Sequence, residues 1–462
     1  MSGTEAKFLS GSLFAHVARM SLAASLGLMA VFAVDFIDMI FISMLGKAEL
    51  AAAIGYAGAI LFFTGSFGIG VAIATGALVA RALGQGDRDL ARRRATNALV
   101  IGFGLGVVFA AVIWLNISPL VSALGASGET RDLAVGFMQI ILPSLPILLI
   151  GIVGGAILRA HGDARRSMMV MIIGGAVNAA LDPVLIFGLE LDLTGAALAS
   201  IAARITIAVL ALRAIARHHG GFDTPRLASL RADFGAVMTI AGPAVLTQLA
   251  TPVGQAYVTR AMAEYGEEAV AGMAIVGRLI PVAFGVLFAL SGAVGPIIGQ
   301  NAGAGRGDRV KGALSAALIF TGLVTVLVAA VLFALRGPLE ALFQLEGAAR
   351  DLVFLFAGPL ALLWFFNGVI FVGNAAFNNL GRPFYSTWIN WGRHTLGTIP
   401  FVMVGATLLG AQGVLIGQAV GGVVFGLLSL WLAWRVSNTP LAVERPIFTR
   451  RGRLLDMFLG RR

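Results

Sequence analysis

Two carboxyl groups lie inside an apolar stretch near the start of the chain, where an ionisable side chain is unexpected. Asp35 and Asp38 occur in the segment AVDFIDMIF. A spacing of three residues places both side chains on one face of a helix. An ionisable group at bilayer depth is costly, so a functional role is its first interpretation. Two neighbouring carboxyls disfavour double ionisation, and the pair is therefore a candidate for holding a proton near neutral pH.

A second polar cluster lies in the apolar segment NAALDPVLIF. Asn178 and Asp182 are four residues apart and share a helix face, while Pro183 cannot donate a hydrogen bond to the carbonyl of Ala179. An amide, a carboxylate and a free carbonyl within one helical turn suit a proton or a cation, because broken backbone at membrane depth must be satisfied. The alternative is that Pro183 merely kinks the helix and Asp182 pairs with Arg204 on the next span.

The second half of the chain has no acidic residue that we place deep in an apolar stretch. It contains two basic residues instead, Arg393 and His394 in the segment WINWGRHTLG. These residues are candidates for a gate, for substrate contact or for paired structural roles. The sequence leaves these three alternatives open.

The composition indicates a membrane protein. The chain of 462 residues is 58% hydrophobic and 12% charged, with a mean hydropathy of +0.91, whereas soluble domains carry about twice that charged fraction. The absence of cysteine excludes disulfides and thiolate metal sites. The net charge of +10 does not indicate nucleic-acid binding, because the basic residues fall in short gaps between apolar stretches. We expect the N-terminus to be retained, since no convincing signal-peptide cleavage site follows it.

Apolar runs near bilayer length predict an all-α membrane protein with twelve transmembrane helices. Arginine and lysine concentrate in alternate gaps, which predicts that both termini are cytoplasmic and that the protein lies in a bacterial inner membrane. The predicted spans are 15–44, 50–79, 95–116, 133–158, 167–189, 194–215, 234–262, 269–299, 311–335, 352–378, 384–408 and 412–435.

An internal sequence repeat indicates two halves with the same arrangement of helices. The loop ALGQGDRD from Ala82 is repeated as GAGRGDRV from Gly303, and GGAILRAHGDARRS matches GNAAFNNLGRPFYS, both at a displacement of about 220 positions. The matched gaps are basic in both copies, so the repeat is parallel and each six-helix lobe has an even number of spans. The predicted organisation is a lobe at 1–216, a cytoplasmic linker at 217–233, a lobe at 234–436 and a basic cytoplasmic tail at 437–462.

These segments resemble the multidrug and toxic compound extrusion (MATE) family of transporters. The resemblance is carried by VNAALDPVLIFGLELDLTGAALAS, by DMIFISMLGKAELAA and by the paired glycine-rich basic loops. It implies two lobes around a central cavity and export of organic cations in exchange for protons or sodium. Asp38 matches the family's first-helix carboxylate, and Asn178 and Asp182 match its fifth-helix pair. The same three side chains are then a possible sodium site.

The resemblance implies further site residues. Ser200 lies where a sixth-helix hydroxyl is usual in the family. Asp35 lies outside the family motif, and it is an ion-coupling candidate because it is three residues from Asp38 in an apolar stretch. Sodium-using members can carry acids on the seventh and tenth helices, where this chain has amides. We therefore expect the amides to contact substrate; they are Gln248, Gln255, Asn374 and Asn378.

Other functions are weaker interpretations of the sequence. No phosphate-binding GxxxxGK[ST] loop is present, which excludes an ATP-driven pump of that type. A lipid-linked oligosaccharide flippase of the same broad fold is the main alternative, and a membrane-embedded enzyme is the alternative of another class. We expect no enzymatic activity and no cofactor beyond the coupling ion. The expected partners are small organic molecules and the bilayer, with no nucleic acid, and the expected state is a monomer.

Overall fold

A computed structural model describes residues 6–439, and within this range the chain is helical and has no strand. Two short 3₁₀ segments, Lys7–Leu9 and Leu142–Ser144, and two π-helical turns, Val184–Gly188 and Phe356–Leu360, adjoin the α-helices. The α-helices are α1 (Leu13–Met44), α2 (Ala48–Gly84), α3 (Arg88–Trp114), α4 (Ile117–Ala123), α5 (Gly128–Ile141), α6 (Leu145–Ala160), α7 (Ala164–Pro183), α8 (Asp192–His218), α9 (Leu227–Ala263), α10 (Glu267–Ala283), α11 (Gly285–Gly303), α12 (Gly307–Ala334), α13 (Arg336–Phe343), α14 (Gly347–Leu355), α15 (Ala361–Asn379), α16 (Phe384–His394) and α17 (Ile399–Ser437).

Eleven helical segments in the described part of the chain are long and apolar enough to cross a membrane. Eleven of the twelve predicted spans fall on these segments, whereas the first part of the predicted span 269–299 lies on α10, which is not one of them. The predicted spans 384–408 and 412–435 share the single segment Phe384–Ser437. The predicted span 269–299 is interrupted at Phe284, where α10 ends and α11 begins.

The long helix α17 folds back on itself at Gly410. This glycine has φ +61°, a left-handed value that side-chain-bearing residues rarely adopt. The two arms then run against each other with glycine backbones in direct contact. A Cβ atom at Gly413 would collide with the carbonyl of Gly405, and one at Gly417 with the carbonyl of Phe401. Residues before and after Gly410 are therefore antiparallel neighbours.

The first half of the chain, residues 6–218, packs on the second half, residues 227–439, mainly through α2. This helix contacts both α9 and α11, and α1 also contacts α11. Within each half, helices at matching repeat positions pair in the same way, since α1 packs on α7 and α9 packs on α16. These two helix pairs place the polar groups considered below.

The residues before α1 join the two halves at the end of the molecule that carries the basic loops. Phe8 is buried; its N–H donates to Gln300 Oε1 at 2.9 Å, and its carbonyl accepts from Asn301 Nδ2 at 3.1 Å. Lys7 Nζ donates to the carbonyl of Gly162 at 2.7 Å. The segment therefore contacts the α6–α7 loop of the first half and the end of α11 in the second half.

The connection between α8 and α9, residues 219–226, covers about half of the predicted linker, whose remaining residues lie at the ends of the two helices. His219 Nε2 lies 3.0 Å from Asp163 Oδ2, and buried Asp233 accepts a hydrogen bond from Asn97 Nδ2 at 2.6 Å. The connection thus contacts the α6–α7 loop through His219, and the first turns of α9 contact α3 through Asp233. The predicted basic tail lies outside the described residues from position 440 onwards.

Candidate functional site

The first-half site lies where α1 packs on α7. Asp38 is on α1, and Asn178 and Asp182 are one turn apart on α7. Asp182 is followed by Pro183, which ends α7 and leads into the π-helical turn Val184–Gly188. Proline removes an i→i−4 hydrogen bond, and π turns shift the side chains of a helix out of register. The local sequence therefore breaks the helix directly beside the carboxyl.

The three side chains are in direct contact. Asn178 Nδ2 donates to Asp182 Oδ2 at 2.8 Å. The carboxyls of Asp38 and Asp182 are also in hydrogen-bonding contact across the two helices. Asp182 is fully buried and Asp38 is half-buried. The predicted cluster is thereby assembled from residues 140 positions or more apart.

This contact between carboxyls requires a positive charge. Asp38 Oδ1 and Asp182 Oδ1 are buried, and no N–H or hydroxyl group among residues 6–439 donates to either atom. Two ionised carboxylates would repel each other at hydrogen-bonding distance, so one must be protonated or a cation must lie between them. The arrangement therefore suits a single positive charge, and its oxygen atoms are ligands of the kind that hard cations prefer.

Two other predicted ion-coupling residues lie at the edge of this contact. Asp35 is exposed on α1, one turn before Asp38, and Ser200 is half-buried on α8. Within the described range, neither side chain makes a hydrogen bond to the three clustered residues. Their roles in ion coupling stay predictions.

Arg204 has partners other than Asp182. Its Nη1 donates to Ser144 Oγ at 2.7 Å and to the carbonyl of Ile141 at 3.2 Å. The sequence offered an Asp182–Arg204 pair as the alternative to a proton or cation site. The structure directs Arg204 towards the α5–α6 junction instead, and Asp182 keeps its contacts with Asp38 and Asn178.

The predicted substrate amides of the second half divide into two groups. Asn374 and Asn378 are buried on α15, where Asn374 accepts from Asn390 Nδ2 at 3.0 Å and Asn378 accepts from Ser386 Oγ at 3.3 Å. Gln248 and Gln255 are half-buried on α9, and their side chains make no hydrogen bond among the described residues. Substrate contact by any of the four stays a prediction.

Sequence reasoning missed the partners Ser386 and Asn390. These two residues lie on one face of α16 because they are four positions apart. That spacing was the available signal. It does not say which helix the face meets, and the pairing with α15 depends on tertiary packing.

Arg393 and His394 lie at the end of α16, where the helix is interrupted at Thr395–Thr398 before α17 begins. His394 is 5% exposed, and its Nε2 has no hydrogen-bond partner among residues 6–439. Its ring packs against Gly254 of α9, where a Cβ atom would overlap the imidazole. Arg393 is half-buried, and no acidic group of the described residues pairs with it.

The internal repeat shows what replaces the first-half cluster in the second half. At a displacement of 220 positions, Asp38, Asn178 and Asp182 correspond to Val258, Thr398 and Val402, all of which are buried. The second half therefore has no carboxyl at either matching position. Within the described range, no group of three or more histidine, cysteine or acidic residues could hold a metal ion, and the first-half cluster of two carboxyls and one amide is not such a group either.

Known proteins resemble this chain over nearly its whole length. The MatE family model matches residues 23–184 and 243–404, two matches offset by the same 220 positions as the repeat. The "FAD transporter" of Shewanella oneidensis is 30% identical over 426 residues, covering 90% of this chain and 93% of that protein. "Multidrug export protein MepA" of Staphylococcus haemolyticus is 23% identical over 433 residues, covering 93% and 95%. The crystal structure of the Vibrio cholerae MATE transporter VcmN superposes with a TM-score of 0.86 at 25% identity, covering 92% and 96%.

Proposed function

The chain belongs to the MatE family, and we propose that it is a secondary active exporter of small organic molecules driven by a cation bound between Asp38 and Asp182. The relatives reported above are transporters, and the apolar helices identify this chain as an integral membrane protein. The observation that supports the coupling role is the contact between two carboxyls whose Oδ1 atoms accept no hydrogen bond from the described residues. We propose no enzymatic activity.

The driving cation is a proton or sodium, and a proton is our first choice. One proton satisfies the contact between the carboxyls, and the matching positions of the second half have no carboxyl that could complete a second ion site. Sodium is the alternative, because the Asn178 amide oxygen and the carbonyl left free by Pro183 can add oxygen ligands. In either case the cation changes the conformational equilibrium only by binding one state more tightly than the other.

We propose twelve membrane crossings in two six-helix lobes, with both termini in the cytoplasm of a bacterial cell. The hairpin at Gly410 supports this count, because it divides the segment Phe384–Ser437 into two antiparallel arms. The lobes are 1–216 and 234–436, joined by the linker 217–233. We propose that the protein acts as a monomer in the inner membrane.

The substrate is a small organic molecule. Carboxyls and aromatic residues favour an organic cation, and MepA is named for multidrug export. The Shewanella relative is named for FAD, whose diphosphate carries negative charge, and a substrate of that kind needs cationic contacts. We therefore propose both an organic cation and a flavin nucleotide as test substrates.

Transport by purified protein in liposomes tests this function. We expect the wild-type protein to move ethidium or FAD when a proton or sodium gradient is imposed. Asp38→Asn and Asp182→Asn keep the side-chain size and remove the titrating group, so we expect gradient-driven transport to fall at least about tenfold. Wild-type rates in both variants would contradict the proposed coupling site.

Asp132→Asn is the matched control for these variants. Its side chain is 79% exposed on α5 and lies outside the cluster. The same amide replacement should therefore leave the transport rate unchanged. Size-exclusion chromatography of all three variants separates a loss of coupling from a loss of folding.

A further inference from the structure

Arg393 and His394 are basic residues at a helix break in the middle of a membrane-spanning arm. The arm runs from Phe384 to the reversal at Gly410. Thr395 is eleven residues beyond Phe384, which is roughly 16 Å along a helix, or about half of the ~30 Å apolar thickness of a bilayer. Broken helices at this depth in transporters occur where backbone and side chains line a binding site.

The basic groups at this break lack partners within the protein. The guanidinium of Arg393 donates no hydrogen bond and has no ion-pair partner among residues 6–439. His394 is 5% exposed, and its buried Nε2 has no partner either. A structural salt bridge would account for a cation at this depth, but the structure contains none here. The unsatisfied donors instead fit a ligand that supplies negative charge.

The position of this pair mirrors that of the carboxyls. His394 packs on Gly254 at the contact between α9 and α16, and Asp182 meets Asp38 at the contact between α1 and α7. The repeat relates these two helix pairs. Negative charge is disfavoured beside the carboxyls of the first half, whereas α16 carries no acidic residue. The two halves thus offer separate places for a cation and for an anion.

We propose that Arg393 and His394 bind a phosphate group of the transported organic molecule. A guanidinium donates in a planar fork that matches phosphate oxygens, and the adjacent imidazole adds a further donor. This assignment rests on the transport function proposed above and specifies the substrate class as organic phosphates.

Equilibrium binding of two flavins tests the assignment. Riboflavin 5′-phosphate and riboflavin differ only in the phosphate, and both are fluorescent. Titration into purified wild-type protein in lipid nanodiscs should give at least about tenfold tighter binding of the phosphate ester. Arg393→Gln should remove this preference and His394→Gln should reduce it. Equal binding of the two flavins by the wild type, or an unchanged preference in both variants, would overturn the assignment.

Controls separate a binding role from a structural one. Arg278→Gln removes an exposed arginine of the same half and should keep the preference. Ethidium affinity should be unchanged in Arg393→Gln; a parallel loss of ethidium and flavin binding would indicate a structural role and overturn the assignment. If Arg393→Gln does not fold, Arg393→Lys keeps the charge without the fork and should lower the preference. An unchanged preference in Arg393→Lys and His394→Gln together would overturn the assignment in that case.

One further variant distinguishes this inference from the proposed function. Asp182→Asn should retain the preference for riboflavin 5′-phosphate while gradient-driven transport is lost, because the two sites lie in different halves. Transport at the wild-type rate in Asp182→Asn would contradict the coupling site alone. Loss of the phosphate preference in Asp182→Asn would contradict the separation of the two sites and overturn the anion site as assigned.

Discussion

The contact between α1 and α7 and the contact between α9 and α16 are the same place in two copies of one repeat, yet they differ in charge. In the first half, the carboxyls of Asp38 and Asp182 are in contact, and their Oδ1 atoms accept no hydrogen bond from the described residues. In the second half, the matching positions are Val258 and Val402, and the basic residues Arg393 and His394 lie nearby. The pairing of the helices is repeated in the two halves, but the charged residues at the helix contacts are not.

Under the function proposed above, the first half binds the coupling cation and the second half binds the phosphate group of the substrate. An ion site needs few ligands, and a backbone carbonyl without a helical hydrogen bond can be one of them. Pro183 and the π turn interrupt the helical hydrogen bonds beside Asp182. The second half instead interrupts its helix at Thr395–Thr398 and places unpaired donors there. Under the function proposed above, cation coupling and phosphate recognition would depend on different residues, so a substitution in one set should leave the other role intact.

Reciprocal exchange of matching residues should produce the largest effect. Val402→Asp buries a carboxyl without a partner, and an uncompensated buried charge costs on the order of 3–5 kcal/mol. We expect a lower melting temperature and poor recovery of folded protein by size-exclusion chromatography. Asp182→Val removes one of two carboxyls that disfavour each other's ionisation, so it should fold, but it should not transport.

Val402→Ala is the control for that exchange. It removes buried apolar volume without adding charge and should cost about 2 kcal/mol. If Val402→Asp melts at the wild-type temperature, the second-half contact is not apolar in solution. The contrast between the halves would then be wrong.

Removing the amide beside Asp182 should produce an intermediate effect. Asn178→Ala deletes the 2.8 Å hydrogen bond to Asp182 Oδ2, which is worth about 1.5–3 kcal/mol when the acceptor is charged. The proton or sodium concentration for half-maximal transport should change by about tenfold or more. Measurement of transport rate against cation concentration in liposomes gives this value directly.

The matched variant in the second half is Asn374→Ala. It deletes the 3.0 Å hydrogen bond from Asn390, at similar burial and between similar groups. We expect a lower melting temperature and an unchanged cation dependence. A change in cation dependence as large as that of Asn178→Ala would place coupling in both halves and remove the distinction between them.

Ser200→Ala should have the smallest effect. The hydroxyl is half-buried and makes no hydrogen bond to Asp38, Asn178 or Asp182 in this conformation. We expect less than about a twofold change in cation dependence, below the contribution of one hydrogen bond. A tenfold change would make Ser200 a direct ligand of the cation, as its sequence position predicts.

Much of the helical arrangement was predictable because apolar runs of bilayer length leave few alternatives. The polar turn around Gly410 separates two such runs, and the structure has the reversal there. The interruptions at Phe284 and at Thr395–Thr398 were not predicted, since each lies inside one predicted span, 269–299 or 384–408. The burial of Phe8 was also missed, because its partners Gln300 and Asn301 are about 290 residues away and meet it only through tertiary packing.

The candidate site shows the same limit. Asn178 and Asp182 could be paired from sequence because helical spacing determines their neighbourhood, and the structure has their hydrogen bond. The hydrogen-bond partner of Arg204 could not be predicted from the sequence, because a long arginine side chain can reach several helices. Its partner Ser144 lies about 60 residues away in the chain. Likewise, Asn374 gave no sign of its contact with Asn390, which depends on how α15 and α16 pack.

Infrared spectroscopy of the purified protein tests the central claim most directly, because it detects a protonated carboxyl without any substrate. We predict a carbonyl band from the Asp38–Asp182 pair near neutral pH in the wild type, absent from both Asp38→Asn and Asp182→Asn. Raising the pH should remove the band, and added sodium should lower it if sodium competes for the same place. A wild-type spectrum without this band at any pH, together with no response to sodium, would mean that the pair holds neither cation and would contradict the account.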